Sequence, residues 1–347
     1  FENYLAYLSR HPGEQRLLGL QMTRRVRFRV VDDAGRPVND ARIVVRSQQW
    51  PQAAAEGRTH ADGRWDLFPG VVAPGLRGHA RVTVQAGQHI VRQTVVLPDQ
   101  GQGQEQLIRL PRTAARLPQA LDLAFLIDVT GSMGDELRYV NNEIVDIVRR
   151  IRQAVPQTHV RLGATFYRDR QDTDPLRLLP FTDNPHGFAR AMSQVDAGGG
   201  GDYPEDMNAG LEAAMTRLAW RRGNVARVLV LIADAPPQRY PTQYAYHQAM
   251  RDAAARGIRV LPVAASGANR TVEYLFRALG ALTSTPYVYL TDDSGIGNHH
   301  MEADTDRISV EMFSDLMTRK LISDLQGLGM HEPSHSEQGV VMLGYVR

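Results

Sequence analysis

The stretch that decides the fold is FLIDVTGSMGDEL, residues 125–137. An apolar run ends there at Asp128, and Thr130 and Ser132 follow at alternate positions. Continuous apolar runs of this kind are typical of strands buried on both faces of a parallel sheet. The next segment predicts an amphipathic helix, because its apolar residues recur at spacings of three and four. The stretch therefore indicates a buried strand that leads through a polar loop into a helix.

Strand and helix patterns then alternate to about residue 326. This alternation predicts an α/β fold with a doubly wound, mostly parallel, Rossmann-like sheet. Sheets of this class bind ligands at the carboxyl ends of their strands. Asp128 and Asp234 both follow apolar runs at such ends, so we expect them to lie near a functional site.

The N-terminal part has a different periodicity. From about residue 24 to residue 112, apolar and polar residues alternate with period two, with glycine-containing breaks at Gly35, Gly63 and Gly87. Such breaks indicate hairpins, and the pattern predicts a small all-β sandwich. The predicted organisation is an N-terminal helical segment at 1–22, a β-sandwich at 23–112, a linker at 113–119, the α/β domain at 120–326 and a C-terminal tail with a strand at 327–347.

Composition excludes several kinds of function. The chain has no cysteine, which rules out disulfides, thiolate catalysis and thiolate metal sites. Its formal net charge is only +2 and its arginines are spread through every segment, which argues against nucleic acid as a partner. No apolar window is long enough to span a membrane. The chain begins at Phe1 and not at methionine, so we expect that an upstream segment was removed, whether a signal peptide, a lipid-anchored leader or a segment left out in cloning.

Three enzymatic interpretations of the opening stretch fail on its residues. A phosphatase with a strand-end aspartate nucleophile needs a second acid two positions later, where this chain has Thr130. A serine-hydrolase turn needs Gly-x-Ser-x-Gly, and the glycine before Ser132 is one position too near. A phosphate-binding loop needs a lysine, and the chain has a single one at Lys320. We therefore expect no enzymatic activity at this site.

A metal site explains the polar loop better. The oxygen atoms of Asp128, Thr130 and Ser132 form a hard ligand set that suits Mg²⁺, Mn²⁺ or Ca²⁺. Such a set is incomplete, and Asp202 in GGGGDYPED and Asp234 in VLVLIAD are the candidates to complete it.

Helix capping is the alternative for two of these residues. Asp202 stands three positions before Glu205, with Pro204 between them, which is the spacing of a capping box. Ser132 and the acidic residue at Asp135 could likewise cap the following helix. Both alternatives remain open at this point.

The three segments DVTGSM, GGGGDYPED and LIADAPP resemble the three loops of a von Willebrand factor type A domain that carries a metal ion-dependent adhesion site (MIDAS). The resemblance covers about residues 118–326. It implies one divalent cation, Mg²⁺ or else Ca²⁺ or Mn²⁺, held by Asp128, Thr130, Ser132, Asp202 and Asp234. Many members have threonine where this chain has Asp202, and the added carboxylate should bind the cation more tightly but leave it less electrophilic. The N-terminal part resembles immunoglobulin-like or transthyretin-like modules.

The resemblance implies a non-enzymatic interaction or adhesion module that binds an acidic group of a protein partner through the cation. Partner contacts are predicted at Arg239 and Tyr240, which follow Asp234, and at Tyr167 and Arg168, which end the second strand. We expect a bacterial protein located outside the cytoplasm, in the periplasm or cell envelope or secreted. The alternatives are a metal-dependent phosphohydrolase and an intracellular assembly scaffold coupled to an ATPase.

Overall fold

The computed structural model describes residues 2–50, 52–113, 115–201, 203–241, 244–290, 308–330 and 340–343. The chain starts with two short helices, α1 (Glu2–Arg10) and α2 (Pro12–Leu18). The glycine at Gly19 ends α2 in the left-handed conformation that helix ends favour.

Two small β-sheets follow the helices. Their strands are β1 (Arg24–Val31), β2 (Arg42–Ser47), β3 (Ala54–Arg58), β4 (Arg64–Leu67), β5 (His79–Ala86), β6 (His89–Val96), β7 (Gly101–Gln102) and β8 (Gln106–Arg109), with the short helix α3 (Pro69–Val72) after β4. In the first sheet β1 pairs with β4, β7 and β8, and the second sheet has the order β3-β2-β5-β6.

The apolar faces of the two sheets share one core. Phe28 of β1 stacks on Trp65 of β4, with 5.5 Å between the ring centroids. A Cβ atom on Gly57 of β3 would lie 2.0 Å from the Trp65 ring, so only glycine lets the second sheet approach this closely.

One of the three glycine-containing breaks joins two long paired strands, and the break at Gly35 is a short local hairpin closed by an antiparallel bridge between Val31 and Pro37. Gly87 joins the antiparallel pair β5 and β6, as predicted. The breaks at Gly35 and Gly63 instead carry the chain from one sheet to the other, because β1 pairs with β4 whereas β2 and β3 pair with each other. A turn residue marks a reversal of direction but does not determine which strands pair.

The remaining described elements build an α/β unit. They are β9 (Ala120–Asp128), α4 (Gly134–Ala154), β10 (His159–Tyr167), β11 (Leu176–Thr182), α5 (Pro185–Met192), α6 (Met207–Thr216), β12 (Ala226–Ala233), α7 (Tyr246–Arg256), β13 (Ile258–Ala264), α8 (Arg270–Thr283), β14 (Val288–Leu290), β15 (Ile308–Val310), α9 (Phe313–Leu325) and β16 (Val340–Leu343).

The strands of this unit form one sheet in the order β11-β10-β9-β12-β13-β14-β16-β15. Only β11 is antiparallel to its neighbour. Helices α4, α5 and α9 pack on one face, and α6, α7 and α8 pack on the other. The predicted doubly wound, mostly parallel α/β class is therefore confirmed.

The face with α6, α7 and α8 shares its apolar core with the N-terminal part. The guanidinium of Arg277 on α8 lies over the ring of Tyr7 on α1, 4.4 Å from its centroid. At the other end of the interface, the buried Arg259 of β13 lies 3.1 Å from Asp62 and 3.0 Å from Asp324 of α9. One guanidinium thus bridges the N-terminal sheets, the central sheet and the last helix.

The strand predicted in the C-terminal tail is present as β16. It lies inside the α/β sheet, between β14 and β15. In the described part of the chain, no helix is both long enough and apolar enough to cross a membrane.

Candidate metal centre

Strand β9 delivers Asp128 to the carboxyl edge of the sheet. Its side chain is completely buried. One oxygen, Oδ1, accepts hydrogen bonds from the backbone nitrogen of Thr130 (3.0 Å) and from the Thr130 hydroxyl (2.7 Å). The other oxygen, Oδ2, is buried and accepts no hydrogen bond of good geometry from the described residues, although the Tyr167 hydroxyl lies close enough to Asp128 to lower the pKa of its carboxyl group. Burying a carboxylate oxygen without a partner costs folding free energy unless a cation or a hydrogen-bond donor contacts it.

Asp234 lies beside Asp128 because β12, which ends at Ala233, pairs in parallel with β9. Asp234 is also buried. Burial raises the pKa of its carboxyl group, and a hydrogen bond from the Ser132 hydroxyl partly opposes that shift. The structure therefore brings together Asp128, Thr130, Ser132 and Asp234, which the sequence had placed in one site.

The two carboxylates disfavour each other's charge. Burial, followed by the nearby charge of Asp234, raises the pKa of Asp128 to about 7, although the hydrogen bonds from Thr130 act in the opposite direction. A buried carboxylate near the opposite end of β9, by contrast, is paired with arginines. There the buried Asp122 accepts hydrogen bonds from the guanidinium groups of Arg161 (2.8 Å) and Arg221 (2.7 Å).

The helix-capping alternative for Ser132 fails. Residues 131–133 form a single 3-10 turn, and α4 begins at Gly134 with Met133 at its N-cap and no side-chain cap. Ser132 is exposed at this turn, and its hydroxyl lies close enough to Asp234 to lower the pKa of that carboxyl group. Its hydroxyl is thus directed to the site and not to the helix.

The glycine-rich loop lies against the first loop. The backbone nitrogen of Gly131 donates to the Gly199 carbonyl (3.2 Å), and that of Gly198 donates to the Val129 carbonyl (2.9 Å). Gly199 has φ +81°, and a Cβ there would lie 2.6 Å from the carboxylate of Asp172. Asp202 itself lies outside the described residues, so its role as a ligand stays a prediction.

The capping box predicted at Asp202 and Glu205 placed the start of the helix too early. Helix α6 begins at Met207, and its N-cap is Asp206, whose side chain accepts from the backbone nitrogen of Ala209. The backbone of Glu205 pairs instead with residues 236–238: its nitrogen donates to the Pro236 carbonyl (3.1 Å), and its carbonyl accepts from Gln238 (2.7 Å). The second and third loops are therefore joined by main-chain hydrogen bonds.

Two carboxylates near the site were not among the predicted ligands. A Cβ on Gly200 would lie 2.8 Å from the buried Glu205 side chain and 3.1 Å from Thr130, so both groups border the same glycine. Glu136 is buried on α4 and accepts from the Ser266 hydroxyl at 2.5 Å. Burial raises the pKa of Glu136, and Asp234 adds to that shift. The sequence contains a signal for Glu136, because an acidic residue on the apolar stripe of a helix is unusual.

The predicted partner contacts fall into two groups. Arg239 is exposed, and Tyr240 is partly exposed, with its hydroxyl donating to Asp169 at 2.6 Å. Arg168 instead donates to four backbone carbonyls, among them Val129 (3.2 Å), so it braces the loops. Tyr167 is completely buried next to Asp128 and has no surface with which to contact a partner, so that prediction is wrong.

The donor set suits a hard cation more than a soft one. Among the described residues, no three Asp, Glu or His side chains are grouped closely enough to hold a metal ion by themselves. The oxygens that converge at Asp128 and Asp234 include two hydroxyls, which fits Mg²⁺, Mn²⁺ or Ca²⁺. The buried Oδ2 of Asp128 marks the point at which a cation would fit.

Comparison with known protein families identifies the type of domain. The family model described as von Willebrand factor A domain matches residues 122–296, half of the chain. The alpha-protein kinase vwkA of Dictyostelium discoideum is 31% identical over 130 residues, which are 37% of this chain and 20% of that protein. The chain thus spans about a fifth of the length of this relative.

Two solved structures resemble the chain more distantly. Proximal thread matrix protein 1 from the mussel byssus has a TM-score of 0.41 at 14% identity, over 62% of this chain and 48% of that one. The conserved hypothetical protein BatB from Bacteroides thetaiotaomicron has a TM-score of 0.39 at 12% identity, over 60% of this chain and 98% of that one.

Proposed function

Because the chain belongs to the von Willebrand factor A domain family, we propose that it is a non-enzymatic protein-interaction module whose binding centre is a divalent cation. The observation that carries the proposal is the meeting of two buried carboxylates, Asp128 and Asp234, without a positively charged partner for Asp128 among the described residues; its Oδ2 accepts no hydrogen bond of good geometry there. A cation at this point would be coordinated by Oδ2 and would relieve the repulsion between the two aspartates.

The ligands of this proposed MIDAS would be Asp128, Thr130, Ser132 and Asp234, with Asp202 as a further candidate. When bound, the cation would supply one electrophilic position for an outside oxygen ligand. Two hydroxyls of the chain would position the carboxylates: the Thr130 hydroxyl donates to one oxygen of Asp128, and the Ser132 hydroxyl lies close enough to Asp234 to lower the pKa of its carboxyl group.

We further propose that a protein partner supplies a carboxylate as the outside ligand. A surface groove of about 630 Å³ opens beside Ser132, between α4 and residues 192–197, and its lining includes Arg138, Asn141 and Asp196. The groove has room for the segment of a partner that flanks its acidic residue. Arg239 and Tyr240 would contact the partner on the side of the third loop.

Calorimetry on the intact protein tests the cation site. Titration with Mg²⁺, Mn²⁺ and Ca²⁺ should give binding heats for the unaltered chain and none for Asp128→Ala or Asp234→Ala. Asp135→Ala is the matched control. Asp135 lies in the first turn of α4, just after the loop that carries Thr130 and Ser132, but it is exposed and bonds to Arg138. Equal heats for all four proteins would contradict the proposed ligands.

Capture of partners tests the interaction. Proteins from an extract of the host should be retained on the immobilised chain in Mg²⁺ and released by a chelator, and Asp128→Ala should retain none of them. Retention that survives both the chelator and the substitution would show that binding does not pass through the cation. The location outside the cytoplasm stays a prediction.

A further inference from the structure

The outer face of the second N-terminal sheet carries a cluster of arginines. Arg46 on β2 lies directly opposite Arg81 on the neighbouring strand β5. Arg92 on β6 lies opposite Thr83, two residues along β5 from Arg81. All three arginines are exposed. We call Arg46, Arg81 and Arg92 the basic patch.

The described residues offset the charge of this patch only in part. The adjacent Arg42 is paired with Glu56 through two hydrogen bonds of 2.7 Å. Arg42 lowers the pKa of Glu56, and Arg46 adds to that shift at longer range. Among the described carboxylates, however, none forms an ion pair with a member of the basic patch. Three positive charges thus share one face.

The arrangement works against the stability of the sheet. Like charges directly opposite each other on neighbouring strands are destabilising, and the Cβ atoms of such a pair are only about 5 Å apart. Residues with an unfavourable arrangement in the free protein are candidates for binding, because a ligand of opposite charge reverses the sign of the interaction. We therefore expect the basic patch to bind an anion.

The shape of the face narrows the class of ligand. A shallow depression of about 580 Å³ lies among Arg42 and the basic patch, and Val44, Thr83 and Thr94 also line it. Its described lining contains guanidinium, hydroxyl and amide groups but no aromatic ring on which a nucleobase could stack. Guanidinium groups bind planar or tetrahedral oxyanions through paired hydrogen bonds.

We propose that the basic patch binds an anionic polysaccharide, with the three guanidinium groups contacting sulfate groups and the threonine hydroxyls contacting the sugar. Basic patches that bind sulfated polysaccharides act mainly through charge. The proposal does not depend on the cation site, since the patch lies on a separate sheet.

Binding of a heparin-derived hexasaccharide to the intact protein tests this proposal, measured in a chelator so that the cation site makes no contribution. Arg46→Gln and Arg81→Gln should each weaken binding about tenfold, as expected for the loss of a charge-assisted hydrogen bond. Each should also reduce the dependence of log K on log salt by about one unit. Arg109→Gln removes the same charge from β8 in the other sheet and should leave binding unchanged.

Stability of the free variants separates lost binding from misfolding. Without ligand, Arg81→Gln should melt at the same temperature as the unaltered chain or higher, because it removes the like-charge pair. Three results would overturn the proposal: no binding of the hexasaccharide, equal weakening by Arg109→Gln, or equally tight binding of a thymidine oligonucleotide of the same charge.

Discussion

Replacing Asp128 with asparagine should stabilise the cation-free protein above neutral pH while abolishing its cation site. The side chain is completely buried, and one of its oxygens accepts no hydrogen bond of good geometry from the described residues. Burial and the nearby Asp234 raise its pKa from 3.8 to about 7. Asparagine has nearly the same shape and can still accept the hydrogen bonds from Thr130, but it carries no charge.

The expected magnitude follows from this pKa shift. A pKa that is higher in the folded state means that the folded protein binds more protons between about pH 4 and pH 7, so its stability falls as the pH rises through that window. A shift of about three units corresponds to about 4 kcal/mol above pH 7. Weaker hydrogen bonds to a neutral acceptor reduce the gain, so we expect Asp128→Asn to be more stable by about 2 to 4 kcal/mol.

Urea denaturation in chelator at about pH 8 and about pH 5 measures this difference, which should be large at the higher pH and small at the lower. Cation at about 1,000 times its Kd should then reverse the order, since it adds about 4.1 kcal/mol to the unaltered chain only. The control is Asp122→Asn on the same strand, which leaves two arginines without their carboxylate and should lose about 2 kcal/mol or more. A less stable Asp128→Asn in chelator at the higher pH would refute the reasoning.

Three further outcomes follow from other parts of the structure. Cation affinity, measured by calorimetry, should weaken by up to about tenfold per unit of pH below about 7, because Asp128 must lose its proton to bind; an affinity independent of pH would contradict this. Gly199→Ala should cost more stability in urea than Gly223→Ala, by about 1 kcal/mol or more, since both have positive φ but only the first meets a side chain; equal losses would show that the contact is unimportant. Arg259→Met should lose about 3 to 5 kcal/mol because it removes the guanidinium that pairs with the buried Asp324 and leaves Asp62 with Arg64 alone; a loss under about 1 kcal/mol would mean that the pairs add little.

The sequence predicted the sheet and the first part of the site because both depend on local patterns and on topology. An apolar run followed by a helical stripe identified β9 and α4. Parallel strands end at one edge of a sheet, so Asp128 and Asp234 had to meet once β9 and β12 were neighbours. Thr130 and Ser132 were then predicted to lie in the same site because they stand two and four positions after Asp128 on one loop.

What the sequence did not predict depends on contacts between distant segments. The helix α6 starts later than the capping pattern indicated, because the backbone of Glu205 pairs with residues 236–238 and Asp206 supplies the cap. The short helix α5 was missed although Asn184 caps it before Pro185. The triad of Arg259 with Asp62 and Asp324 joins residues that lie 197 and 65 positions away from it, and no local pattern shows such a pairing.

The core shared between the N-terminal sheets and the α/β unit determines how the protein can be divided. A cut at residues 113–119 would separate two stretches of sequence but not two cooperative folding units, because α8 would lose the cover of Tyr7, and Arg259 would lose Asp62. The excised α/β unit would then present an apolar helix layer to water and associate with itself. Heat should accordingly unfold the whole chain in one calorimetric transition, and engineering that transplants the cation site would have to carry the N-terminal sheets with it.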